Sequence, residues 1–157
     1  MILDLATLPS MSLHDAVRVE IESLHAFFVQ WFSGVAPRDD ATLVQGFTRR
    51  FTDDFVLIPP AGTRLGARQL GDGLERGHGS NPEFRVAIRR VELRLETADL
   101  VIATYEEWQR NAKASTPPDN GRVATVVFLR QGDGLRWQHI HETWLPADVM
   151  AVGPFDF

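Results

Sequence analysis

Residues 84–96 read FRVAIRRVELRLE, and their parity decides the fold. Phe84, Val86 and Ile88 alternate on one face of a strand, whereas Val91, Leu93 and Leu95 continue on the opposite parity. Strand side chains alternate with period two, so this one-residue slip at Arg89 and Arg90 predicts a β-bulge. A long bulged strand bends sharply, and a sheet built on it is curved.

Downstream, LVIATYEEWQR (100–110), GRVATVVFLR (121–130) and LRWQHIHETWL (135–145) read as three further strands. NAKASTPPDNG joins the first two as a long polar loop, and QGDG joins the last two as a tight hairpin. Upstream the period changes. Ser12 and Asp15 form a capping box ahead of Val17, Ile21, Leu24, Phe28 and Trp31, which recur at spacings of four and three. That stripe, widened by Phe27 and Phe32, predicts an amphipathic helix of about 20 residues. GVAPRDD stops it, and Asp40 is placed to cap a second helix with Leu43, Val44, Phe47 and Phe51 on one face. DDFVLIPPAGT reads as a short strand and GARQLGDGLERGHG as a third helix, with His78 solvated or capping its end. Helices followed by an antiparallel meander make an α+β layout, with helices covering one face of a strongly curved, mainly antiparallel sheet.

A chain of 157 residues, 44% hydrophobic and 24% charged, suits one globular domain. We expect a single domain over 1–157, with a core at about 13–146 and terminal extensions at 1–11 and 147–157. The apolar tail VMAVGPFDF reads either as docking against a neighbouring subunit or as a disordered end. Without cysteine, disulfides, thiolate nucleophiles and cysteine-ligated zinc are excluded. A net charge of -5 and the lack of a dense basic face argue against nucleic acid, the arginines at 85, 89, 90 and 94 reading as a solvated sheet face. MILDLATLP has no basic leader, and no run reaches membrane-spanning length, so a cytoplasmic protein without a membrane partner is expected.

The long aromatic helix with RRFTDDFVLIPPAGTRLGARQL after it, the bent strand from Phe84, and GLRWQHIHETW together resemble the nuclear-transport-factor-2-like superfamily over roughly Leu13 to Pro146. Its members include ketosteroid isomerase-like and SnoaL-like proteins and the calcium/calmodulin-dependent kinase association domain. The resemblance implies a cone-shaped, cystatin-like fold with a cavity between helices and sheet, and a homodimer formed through the outer sheet face. It fixes no function, because function resides in sites rather than folds.

In the last strand Trp137, His139, His141 and Thr143 share one parity and Gln138, Ile140, Glu142 and Trp144 the other. His139 and His141 read as a metal pair, with Glu107 as a conceivable third ligand, or as histidines packed at a sheet surface or dimer interface. The resemblance places the cavity on the other parity. There Ile140, Glu142 and Trp144 line the cone, with Glu106 and Trp108 on the neighbouring strand and Val126 and Phe128 between them. Phe28 and Trp31 are core residues that also reach the cavity. The association domain's arginines are replaced here by Glu106, Val126 and Trp144, which disfavours an anionic ligand.

Two carboxylates in an apolar, tryptophan-lined cavity raise at least one pKa, as general acid/base chemistry requires. Glu106 and Glu142 are therefore expected either to do such chemistry as a catalytic pair or to bind a cationic or hydrogen-bonding ligand between aromatic walls, unless an arginine such as Arg64 or Arg68 neutralises them. The ketosteroid isomerase base would fall on Pro59, so that apparatus is not expected. The leading reading is a small-molecule-binding protein of the SnoaL-like type, without cofactor, supporting metal-independent isomerase, cyclase or lyase chemistry. A non-catalytic oligomerisation or ligand-sensing module and a metal-dependent enzyme using His139 and His141 are the alternatives.

Overall fold

The computed structural model describes residues 10–157. The first nine residues, and with them most of the expected N-terminal extension, lie outside the described residues.

The first helix, α1 (Leu13–Ser33), starts where Ser12 accepts a hydrogen bond from the Asp15 backbone N–H at 3.1 Å. It ends at Gly34, whose φ of 80° is the left-handed conformation that closes many helices. Its stripe buries Val17, Ile21, Leu24, Phe27 and Trp31, and also His25. The second helix, α2 (Asp40–Gly46), is capped by Asp39 rather than Asp40, because the Asp39 carboxylate reaches the Thr42 N–H at 2.7 Å. Val44, expected on its inward face, is exposed. A single 3-10 turn (Thr48–Arg50) then leads into β1 (Phe51–Ile58). A two-residue β2 (Leu65–Gly66) precedes α3 (Ala67–Gly77).

The meander follows as β3 (Arg85–Glu96), β4 (Leu100–Arg110), β5 (Asn120–Gln131) and β6 (Gly134–Trp144). The six strands lie in the order β2-β1-β6-β5-β4-β3, antiparallel except where β1 runs parallel to β6. The expected bulge is present. Arg89 pairs with Glu106 but Glu92 with Thr104, so β3 spends one extra residue, and Arg90 adopts a φ of 52°. A second slip between Leu93 and Leu95 adds to the bend.

Another bulge corrects the parity expected in β6. Val127 pairs with His139 and Phe128 with Trp137, leaving Gln138 as the inserted residue. Trp137 therefore turns inward with Ile140, and only His139, His141 and Thr143 share the outer face. Residues directly opposite in neighbouring strands share a face, so the register gives inward rows. Val101, Phe128 and Trp137 form one, then Ala103, Val126 and Ile140, then Tyr105, Ala124 and Glu142, then Glu107, Arg122 and Trp144. The inner wall thus grades from aliphatic and aromatic to charged.

After β6 comes α4 (Ala147–Val152), and the tail folds back over the outer sheet face. Phe155 packs edge-on against Trp108 at 5.5 Å, and its carbonyl accepts from Arg110 at 3.2 Å. Arg89 and Arg110 stack on Phe157 at 5.6 and 5.7 Å. The tail docks on its own sheet, so the expectation of a disordered end is not met.

Candidate functional site

Between α1, α3 and the concave sheet lies a cavity of about 560 Å³, within the usual range of small-molecule sites. Phenylalanines from four different elements or their junctions, among them Phe28, Phe47, Phe55 and Phe84, make its body apolar. Part of its wall has no side chain. Gly73 on α3 faces open space, with nothing within 4 Å of where a Cβ would sit. Gln69, Ser80 and Ala114 are the exposed lining residues and mark the mouth.

The polar end is a continuous hydrogen-bonded chain. His25 contacts the Ile21 carbonyl through Nδ1 at 2.7 Å and the Glu107 carboxylate through Nε2 at 3.1 Å. Acceptors at both ring nitrogens favour the doubly protonated imidazolium. Burial alone would lower the His25 pKa, but the Glu107 charge and hydrogen bond raise it above the ordinary value. Burial likewise works to raise Glu107, yet His25, Arg122 and the Gln109 amide outweigh it and hold the carboxyl at about 2.

Gln109 passes the chain on. Its carbonyl oxygen accepts from Arg122 Nη2 at 3.0 Å, which also donates to Asn120 at 3.0 Å. Arg122 Nη1 donates to Glu142 at 3.0 Å, and the guanidinium stacks on Trp144 at 4.9 Å. Glu142 is 7% exposed. Desolvation first, and the Glu107 charge second, push its carboxyl up to about 7 against the pull of Arg122. Beside it Tyr105, 1% exposed, has a hydroxyl without a hydrogen-bond partner. Burial and the two glutamates push that phenol well above its usual value, so it keeps its proton.

Of the residues expected at the site, the structure brings Phe28, Ile140 and Glu142 to the cavity. Trp144 shares their face but stands at the end of the wall against Arg122. Phe128 and Trp31 lie in the packed core instead, Trp31 donating its indole N–H to the Leu74 carbonyl at 2.7 Å. Glu106 and Trp108 are on the outer face. There Glu106 accepts from Arg90 at 3.3 Å and from the Trp108 indole at 3.0 Å. The expected Glu106–Glu142 pair is not formed; Glu107, one residue on, takes that place. Nor do Arg64 or Arg68, both exposed, neutralise it, because Arg122 does. The expected arginine-free wall is corrected by the same residue.

His139 and His141 lie on the outer face with rings 6.5 Å apart, on the side of the sheet opposite Glu107. Among the described residues no three metal-ligating side chains come together.

Missed altogether was His25, a polar residue on the apolar stripe between Ile21 and Phe28. Arg122 carried a signal too, since it has the parity of Ala124, Val126 and Phe128. Among the described residues no helix is long and apolar enough to cross a membrane.

No family model matches the chain. Over 130 residues it is 25% identical to a curated protein named "Probable sucrose-phosphatase 2" from Arabidopsis thaliana, covering 80% of this chain and 29% of that one. The chain thus spans under a third of that relative. Among solved structures, an NTF-2 like protein of unknown function from Pseudomonas aeruginosa is 28% identical with a TM-score of 0.71, over 83% of this chain and 99% of its own. An uncharacterized protein with a cystatin-like fold from Caulobacter vibrioides aligns with a TM-score of 0.62 at 14% identity, over 89% and 94% of the two chains. An NTF2-like protein from Rhodospirillum rubrum, of unknown function in nutrient uptake, gives 0.61 at 14%, over 84% and 100%. The helix layer, the twice-slipped β3 and these neighbours together give the chain the cone-shaped α+β fold of the nuclear-transport-factor-2-like superfamily.

Proposed function

We propose that the cone binds a small, largely apolar molecule and that Glu142 serves it as a metal-independent general acid/base, in isomerase, cyclase or lyase chemistry. One observation carries this reading: an apolar cavity of about 560 Å³ ends at a carboxyl whose pKa is pushed up to about 7. A group that titrates near neutrality can both give and take a proton at the pH of a cell. Glu107, held ionised by His25, orients the wall through Gln109 rather than exchanging protons. A cone that only senses a ligand is the second reading, favoured by the ion pair between Arg122 and Glu142.

A thermal-shift screen of metabolites on the purified protein tests the site, since a ligand that binds only the native state raises the midpoint. Gly73→Leu adds a side chain at a cavity-lining position where a Cβ meets nothing within 4 Å, and it improves helix propensity. Compounds that shift wild type and not G73L occupy the cone. A screen whose hits shift both proteins equally rejects the cavity as the site. Loss of turnover in Glu142→Gln with binding retained then separates catalyst from sensor.

As part of the same reading, the protein is a cytoplasmic homodimer. The half-buried Ile102, Val123 and Val127 on the outer face support the pairing, and the lack of cysteine suits a reducing compartment. Light scattering on a sizing column gives the mass that decides the pairing.

A further inference from the structure

Of the five histidines, three are committed to the fold. His14 meets the Val91 carbonyl through Nε2 at 2.8 Å, His25 bridges Ile21 and Glu107, and His78 meets the Ala36 carbonyl at 2.7 Å. His139 and His141 hold no side-chain hydrogen bond among the described residues, and they stand side by side on the outer face of β6 with rings 6.5 Å apart. Directly across from them lie Val56 and Val127 beside His139, and Ile58 and Thr125 beside His141, none of which carries a charge. Imidazole nitrogens without a carboxylate suit zinc, copper or nickel rather than magnesium or calcium. Two imidazoles on one tetrahedral ion have centroids about 5 Å apart, given metal–nitrogen bonds of about 2 Å. The observed 6.5 Å closes to that by side-chain rotation, which no hydrogen bond opposes.

One chain nevertheless supplies only two ligands, and a structural zinc site takes four. The face that carries the pair is itself uncovered. The tail shields Trp108 over β3 and β4, whereas the strip beside the histidines is made of half-buried Val56, Val127 and Ile102 and runs out to Leu95 at 48% exposure. A second copy, related by a twofold axis passing by the pair, lays the same strip against this one and brings the same two imidazoles to the axis. Sheets packed face to face lie about 10 Å apart, so side chains of histidine length from both meet at the midplane. A divalent ion there also offsets the repulsion between two chains that each carry a net charge of -5. We propose that His139 and His141 of two copies together bind one divalent ion of the zinc class, as a four-imidazole site at a twofold dimer seam. The ion is structural and lies outside the cone, so the acid/base chemistry proposed for Glu142 stays independent of metal. This rests on the homodimer reading above and deepens it, naming the residues through which the copies pair.

The untagged chain, stripped with a chelator and dialysed against zinc, is expected to retain one ion for every two chains by elemental analysis. Light scattering on a sizing column across a dilution series is expected to show zinc lowering the dimerisation midpoint at least about tenfold, because an ion bound only by the pair favours it by mass action. Excess chelator restores the original midpoint. Combining His139→Ala with His141→Ala abolishes both the retained ion and the shift. His141→Ala alone, at an exposed position, lowers both and serves if the double variant does not fold. One ion per chain with an unmoved midpoint overturns the bridge in favour of a chelate within each copy. Zinc retained equally by the variants overturns the site, and so does a chain that retains none. A dimer whose midpoint ignores both zinc and chelator overturns the bridge yet leaves the homodimer reading standing, whereas a monomer at every concentration, with and without zinc, counts against both.

Discussion

Glu142 stands between two opposed neighbours, Arg122 at 3.0 Å and the ionised Glu107, and burial tips the balance toward its protonated form. A folded-state pKa raised from 4.5 to about 7 has a definite sign. Between those values the native state keeps the proton and the unfolded chain releases it, so stability falls as pH rises. His25, whose folded pKa is raised, contributes stability that is fully present below its model value of 6.5 and is lost only above it. Glu107, depressed to about 2, loses its contribution only as pH falls below 4.5. From about pH 5 to about pH 6.5 the slope therefore belongs to Glu142, and Glu142→Gln should remove about 2 kcal/mol of pH-dependent loss over that window. Denaturant midpoints of both proteins at several pH values check this, and parallel curves would reject a raised Glu142. At this scale the sequence was legible in part. Ile140 and Glu142 were assigned to the cavity wall, but Glu107 was not, because β4 carries large or apolar residues on both parities. The register implied by the resemblance put Glu106 and Trp108 inside, and the Phe155 that buries Trp108 on the outer face lies far along the chain.

Among the elements, β3 shows most directly how backbone geometry shapes the molecule. Its bulge needs a residue in the left-handed region, and Arg90 occupies it at a φ of 52°. For an L-residue with a side chain that conformation costs about 1 to 2 kcal/mol. Arg90 offsets little of it, since its ion pair with Glu106 is made by a side chain that is 76% exposed. Arg90→Gly is expected to stabilise the fold by about 0.5 to 1 kcal/mol, and Arg90→Val, β-branched, to destabilise it by more. Thermal midpoints of the two variants read the sign, and stabilisation by valine would contradict a left-handed Arg90. This element was readable from sequence because a parity slip is local: Ile88 and Val91 announce it without any partner strand. The Gln138 bulge in β6 was not, since polar and aromatic residues there follow no clean alternation until β5 fixes the register through Val127 and Phe128.

Seen as a whole molecule, the sheet is covered by helices inside and, over β3 and β4 only, by the tail outside. Removing residues 153–157 uncovers Trp108, which is 3% exposed, and strips Arg89 and Arg110 of their stacking partners. The loss of Phe155 and Phe157 is expected to cost about 2 to 3 kcal/mol. Acrylamide quenching of tryptophan emission should rise in the truncated chain and return to the parent level when Trp108→Phe is added. Unchanged quenching would mean that the tail does not cover the sheet in solution. The helix layer and the curved sheet were readable because each carries its period within a single segment, whereas the tail's docking depends on contacts between β3, β4 and a terminus that no local pattern links. Gly73 has a further consequence of the same global kind. The polar groups of the wall sit on β4, β5 and β6 and are braced by one another, while α3 contributes a helix turn with no side chain at that position. On the ligand-binding reading proposed above, the polar wall and the length of the cavity are thus set by separate parts of the molecule. On that reading, one substitution on α3 shortens the accepted ligand as a movable stop shortens a ruler, leaving unchanged the end from which length is measured.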